Sequence, residues 1–195
     1  MVLPQPRLPK VENPMDRIAF AGPMCVGKTY LAKGLEIQGY TRISFANLLK
    51  SLAYNLYGLQ SKDNTTRKLL QELSDDLKKW DNNLFITYLL MQAKKEIDNG
   101  YTKLVVDDLR FKAEEEALRK NGFVIVNVTC EEEVRLNRVF RLYPDTDQSR
   151  LLHPSEHGWK SMKFDHTIDS TDPIAHYDVA AMVESGNSNS LHRQK

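Results

Sequence analysis

Gly22-Pro-Met-Cys-Val-Gly27-Lys28-Thr29 stands between two apolar segments of different type. Before it, Arg17 to Ala21 is a short run of strand character. After it, Tyr30 to Ile37 carries Leu31 and Leu35 one helical turn apart. The segment reads G-x-x-x-x-G-K-T, and strand, glycine loop, helix is the context in which that pattern acts. Glycine permits backbone conformations closed to other residues, so successive N–H groups can turn inward and cradle phosphate oxygens at the start of the helix. On that reading Gly22, Pro23, Met24, Cys25, Val26, Gly27, Lys28, Thr29 and Tyr30 line a donor-phosphate site. Lys28 reaches the outer phosphates, and the Thr29 hydroxyl is a ligand for Mg²⁺. A chance match in a turn, or a cradle without catalysis, are the alternatives.

With 195 residues the chain is long enough for one α/β domain with a core. The net charge of +1 sets up no global field toward nucleic acid or membrane, so neither is expected as a partner. Anion recognition must then come from local placement of Arg and Lys. Two cysteines, Cys25 and Cys130, make neither a disulfide framework nor a zinc cluster, which points to a reducing, cytoplasmic setting. Cys25 reads as structural, with a thiol of lowered pKa near a helix start as the alternative. No run of 18 apolar residues suggests a membrane helix. Residues 1–16, with four prolines, read as a flexible leader, and 185–195 as a polar, flexible tail; 17–184 read as one domain.

Along the chain, Gly39 to Ser44 reads as a second strand. Phe45, Leu48, Leu49, Leu52, Ala53 and Leu56 recur at helical spacing. A second helix carries Leu69, Leu70, Leu73, Leu77 and Trp80 on one face, and a third Leu84, Phe85, Tyr88, Leu89 and Ile97. Lys103 to Asp108 is an apolar strand ending in two aspartates. Ligands in open α/β sheets bind at the carboxyl ends of strands, so Asp107 and Asp108 are candidate Mg²⁺ ligands; a solvated turn is the alternative. Phe111 to Lys120 is a helix, Phe123 to Val128 a strand buried on both faces, and Thr129 to Glu132 a capping box. Arg135, Arg138 and Arg141 form a drifting basic stripe on the next helix, or a solvated face paired with Glu131 to Glu133. Residues 135–158 read as a lid, Phe164 to Asp169 as a last strand, and Asp172-Pro173 as the cap of a final helix with Ile174, Val179, Met182 and Val183 inward. Strands alternating with helices predict a three-layer α/β/α fold with a five-stranded parallel sheet.

Neither N-K-x-D nor a D-x-x-G after the acidic strand is present, which sets aside the GTPases. A small P-loop chain rich in arginine suits phosphoryl transfer to a small molecule, where the protein positions reactants and neutralises charge. The chain resembles the deoxynucleoside monophosphate kinases of bacteriophages. Beyond the P-loop, the match lies in Ser44-Phe-Ala-Asn-Leu-Leu-Lys50, Thr66-Arg67-Lys-Leu-Leu-Gln71-Glu-Leu, Asp108-Leu-Arg110-Phe-Lys-Ala-Glu114 and His153-Pro-Ser155-Glu156. The resemblance implies ATP as phosphoryl donor with Mg²⁺, a nucleoside monophosphate as acceptor, and allows a homodimer. It implies that Ser44, Phe45, Lys50, Arg67 and Gln71 lie about the acceptor in a helical region over 45–100. Asp108 and Arg110 would stand at the reacting centre, Glu114 would orient Arg110, and Arg135 and Arg138 would close over the donor, Arg138 in a catalytic role. Lys50 and Arg67 also read as surface charges on amphipathic helices. Thr29 departs from the family's frequent G-K-D, and Ser74 from its glycine. The animal-type phosphomevalonate kinases are similar in layout, and a nucleotide-binding module without turnover is a third reading.

Overall fold

The computed structural model describes residues 4–58, 64–144, 157–172, 175 and 179–185. Five strands form one parallel sheet: β1 (Arg17–Ala21), β2 (Thr41–Ile43), β3 (Leu104–Leu109), β4 (Val124–Thr129) and β5 (His166–Asp169), in the order β2-β3-β1-β4-β5. The expected strands are all present, with ends shifted by a residue or two. β1 is central and every one of its residues is buried.

Alternation along the strands splits the core in two. Ala19, Ala21, Leu104, Val106 and Ile125 face one side, where helices α4 (Leu84–Asp98) and α5 (Lys112–Lys120) cover them with Phe85, Leu89, Leu90, Ala117 and Leu118. Ile18, Phe20, Val105, Val126 and Val128 face the other, against Leu31 and Leu35 of α1 (Lys28–Ile37) and Val179 and Val183 of the terminal helical segment. Apolar burial on both faces is what a parallel sheet with crossover helices requires, and it yields the expected three layers.

Two further helices, α2 (Asn47–Tyr57) and α3 (Asn64–Trp80), lie between β2 and α4 in the chain. Leu48, Leu49 and Leu77 pack on the core, but Leu56 is 64% and Trp80 87% exposed. Both sit at the ends of their helices, past the last residues that pack on the core, so the apolar stripes read from the sequence stop short of the helix ends. A second correction concerns α6 (Glu132–Leu142). Its N-cap is Glu131, and no side chain caps it. Thr129 ends β4 instead, and its hydroxyl donates to the Ile168 carbonyl across the β4–β5 edge at 3.3 Å. Strand pairing outcompetes the cap.

Ahead of β1, Met15 is buried and its carbonyl accepts from the Tyr40 hydroxyl at 2.7 Å. Leu8 packs on the core and its amide donates to Asn121 Oδ1 at 2.9 Å. Of the expected final cap, the Asp172 backbone carbonyl accepts the Ala175 amide at 3.2 Å, while Pro173 and Ile174 lie outside the described residues. So do 145–156, the middle of the expected lid, with His153, Ser155 and Glu156. Among the described residues no helix is long and apolar enough to cross a membrane.

Candidate active site

The chain leaves β1 for β2 by passing over the place that β3 later fills, so the strand order reverses between β1 and β3. Ligands of open α/β sheets bind at such switch points, beyond the strand carboxyl ends. The glycine loop 22–27 leaves β1 there, and Asp107 and Asp108 sit at the end of β3 beside it.

The loop is shaped by close approaches. Gly22 has φ +142°, and a Cβ on it would stand 2.6 Å from the Val128 carbonyl oxygen. Gly27 has φ +107°, and a Cβ would meet Ser170 Oγ at 2.9 Å. Cys25, at φ 61°, is the one non-glycine residue with positive φ among the described residues. Lys28 opens α1 and is 8% exposed; its ammonium donates to the carbonyls of Gly22 at 2.6 Å and Pro23 at 2.7 Å. That holds a cation at the rim of the loop, where a phosphate tail would arrive. Tyr30, in the same first turn of α1, is 49% exposed.

Thr29 Oγ1 donates to Asp107 Oδ2 at 2.7 Å. Arg42, on the edge strand β2, reaches the same oxygen at 3.2 Å and Glu36 at 3.4 Å. A hydroxyl and a carboxylate side by side are hard oxygen donors of the kind Mg²⁺ accepts. Among the described residues no cluster of three His, Cys, Asp or Glu could hold a metal. The pair therefore fits an ion that takes most of its ligands from phosphate and water, as Mg²⁺ does.

Asp108 goes elsewhere. Between Ala19 and Ala21 of β1 the partners in β3 run from Val106 to Leu109, so β3 carries one extra residue at the aspartates. A bulge of this kind re-aims side chains. The Asp108 carboxylate accepts from Ser44 Oγ at 2.6 Å, the Ala46 amide at 3.0 Å and the Phe45 amide at 3.1 Å. Ala46 is the N-cap of α2 and has no side chain to cap with, so Asp108 supplies the acceptor from the neighbouring strand. Burial pushes the Asp108 carboxyl above its usual range, against the three hydrogen bonds. The structure thus brings Asp107, not Asp108, to Thr29. Ser44 and Phe45, both buried, belong to the Asp108 clamp.

Glu114 Oε2 accepts from the amides of Arg110 at 2.9 Å and Phe111 at 3.0 Å, so it holds Arg110 through its backbone. Burial raises the Glu114 carboxyl to about 7. Gly158 packs against this turn: a Cβ there would be 2.5 Å from the Arg110 carbonyl oxygen. The Lys78 ammonium lies 4.8 Å from the Phe111 ring centre. Lys50 and Gln71 are exposed, and the Arg67 side chain lies outside the described residues.

Two of the three α6 arginines reach the loop region and brace it. Arg135 donates to the Met24 carbonyl at 3.2 Å, with Glu132 on its other nitrogens at 2.6 and 2.7 Å. Arg138 donates to the carbonyls of Ser170 at 2.7 Å and Thr171 at 3.2 Å. Arg141 is exposed. Sequence reading missed Arg42 and Ser170. The signal for Arg42 was its place on the strand beside β3; Ser170, alone after β5, gave none.

Residues 18–152 match the family model described as AAA domain, which is more than half the chain. The chain belongs to the AAA-domain family. In this AAA-domain protein the matched region takes in the glycine loop, both aspartates, Arg135 and Arg138, and leaves out β5 and Ser170. A comparison with curated proteins gives no significant match. Solved structures of similar fold include a kinase candidate from Chloroflexus aurantiacus J-10-fl, with 16% identity, 94% of this chain and 99% of that one covered, and TM-score 0.58. A dephospho-CoA kinase from Campylobacter jejuni has 13% identity, 88% and 97% coverage, and TM-score 0.52. A sugar kinase from Janibacter sp. HTCC2649 has 13% identity, 88% and 94% coverage, and TM-score 0.50. At these identities the likeness shows the fold, which is P-loop kinase-like.

Proposed function

We propose that this protein transfers the γ-phosphoryl group of ATP to the phosphate of a nucleoside monophosphate, a deoxynucleotide by the resemblance of its acceptor motifs. The observation that carries the choice of acceptor is the state of the two carboxylates beside the loop. A hydroxyl acceptor needs a general base within hydrogen-bond reach. Asp107 is engaged by Thr29 and Arg42, and Asp108 is closed in by three donors. A phosphate monoester, with a second pKa near ~6, is already anionic at neutral pH and needs no base.

In the reaction an acceptor phosphate oxygen attacks the γ-phosphorus. The bond from γ-phosphorus to the β–γ bridging oxygen breaks, and ADP leaves with its electron pair. The loop amides and Lys28 hold the donor and meet the charge spread over the equatorial oxygens. Thr29 and Asp107 would hold Mg²⁺, which when bound neutralises β- and γ-phosphate charge. Arg110, fixed by Glu114, and Arg67 and Lys50 from the α2–α3 region are the proposed acceptor contacts; Arg135 and Arg138 serve the donor side.

The test is a panel of deoxynucleoside monophosphates with ATP and Mg²⁺. ADP and the matching diphosphate are expected in equal amounts. Turnover of phosphomevalonate alone would move the protein to another acceptor class, and tight ATP binding with every acceptor silent would make it a binding module.

A further inference from the structure

Ser170 follows the last residue of the edge strand β5 and is 3% exposed. Its hydroxyl stands against the Val26 carbonyl of the glycine loop and lies 3.1 Å from the Thr129 carbonyl. It carries one proton, and the Val26 oxygen is the closer acceptor. Arg138 holds the same residue from the other side, through the Ser170 carbonyl at 2.7 Å and the hydroxyl at 3.4 Å. Only hydrogen on the Gly27 Cα lets this approach occur, since a Cβ there would be 2.9 Å from Ser170 Oγ.

The consequence follows from peptide geometry. A trans peptide is planar, so its C=O and N–H point in opposite directions. Holding the Val26 carbonyl toward Ser170 turns the Gly27 N–H away from β5, toward the mouth of the loop. Gly27 and Lys28 supply the amides at the start of α1, where phosphate charge is best received. We propose that Ser170 is a positioning residue for the phosphoryl donor: it sets the Val26–Gly27 peptide, and Arg138 on α6 locks it there. This rests on the reading of the glycine loop as the ATP site. Arg138 then acts through Ser170 rather than by reaching for phosphate, and α6 and the glycine loop are mechanically joined.

The test compares Ser170→Ala with Ser170→Cys, whose thiol has similar size but is a weak donor. ATP and ADP binding are measured by calorimetry on the whole chain, with donor and acceptor KM and thermal midpoint alongside. Both variants are expected to bind ATP roughly fivefold to tenfold more weakly, the effect of one buried neutral hydrogen bond, with the acceptor KM unchanged. A purely structural role would lower the midpoint and raise both KM values together, which would overturn the proposal. So would ATP binding as tight as wild type in either variant that folds. A wild-type chain that binds no ATP removes the donor reading itself, and Ser170's role with it.

Discussion

Replacing Asp108 by Asn separates a clamp from a chemical group. Its carboxylate accepts from Ser44 Oγ at 2.6 Å, Ala46 N at 3.0 Å and Phe45 N at 3.1 Å. Asparagine offers one acceptor oxygen and one NH₂. Whichever way the amide is turned, one of the two backbone N–H groups faces a donor, while the Ser44 hydroxyl can reverse and accept. A hydrogen bond to a charged acceptor contributes ~1.5–3 kcal/mol. Part of that is offset, because the neutral amide escapes the burial cost that raises the Asp108 carboxyl. The net loss should be about 1–2 kcal/mol, or roughly 2–8 °C in the midpoint of a chain this size. Asp108→Ala strands both amides and should cost about 2–6 kcal/mol. The start of α2 loosens, so the acceptor KM should rise while kcat falls less than about tenfold. Loss of a general base instead costs about 10²–10⁴ in rate. Thermal and urea unfolding with steady-state kinetics decide it. An Asn variant as stable as wild type but slowed about a hundredfold or more would refute the clamp and return Asp108 to the chemistry.

Glu114 gives a pH signature. Burial raises its folded-state value from 4.5 to about 7, so the folded protein holds that proton where the unfolded chain has lost it. Its contribution is therefore full below pH 4.5 and is lost as pH rises through 7. Between those two values stability should fall by ~1.4 kcal/mol for each pH step of one. Glu114→Gln should flatten the stability curve across that window; an unchanged slope in unfolding midpoints would count against it. Thr29→Val should raise the Mg²⁺ concentration for half-maximal rate by roughly 10- to 100-fold, and an unmoved magnesium titration would take Thr29 off the metal.

Much of the fold was legible. The inner strands β1, β3 and β4 announce themselves as apolar runs, because a parallel sheet covered on both faces leaves few polar positions there. The edge strands β2 (Thr41–Ile43) and β5 (His166–Asp169) are mostly polar, with Ile43 and Ile168 as their buried residues. The glycine loop was legible because its spacing answers a backbone requirement, seen at Gly22 and Gly27. What sequence could not give was direction. Two adjacent aspartates read as one acidic site, yet a one-residue bulge sends Asp107 to Thr29 and Asp108 to the start of α2. Thr129 has the composition of a helix cap and serves a strand instead. Trp80 keeps helical register with Leu77 but stands where the core has ended. Ser170 touches the loop from 144 residues away, and no local pattern encodes such a contact.

The most direct test of the central claim follows the phosphoryl group itself. ATP labelled at the γ-phosphorus, incubated with Mg²⁺ and a deoxynucleoside monophosphate, should place its label in the β-phosphate of the new diphosphate. Lys28→Ala should reduce that transfer by ~10²-fold or more while the protein stays folded. Label released only as inorganic phosphate, or transferred equally well by the Lys28 variant, would contradict the account.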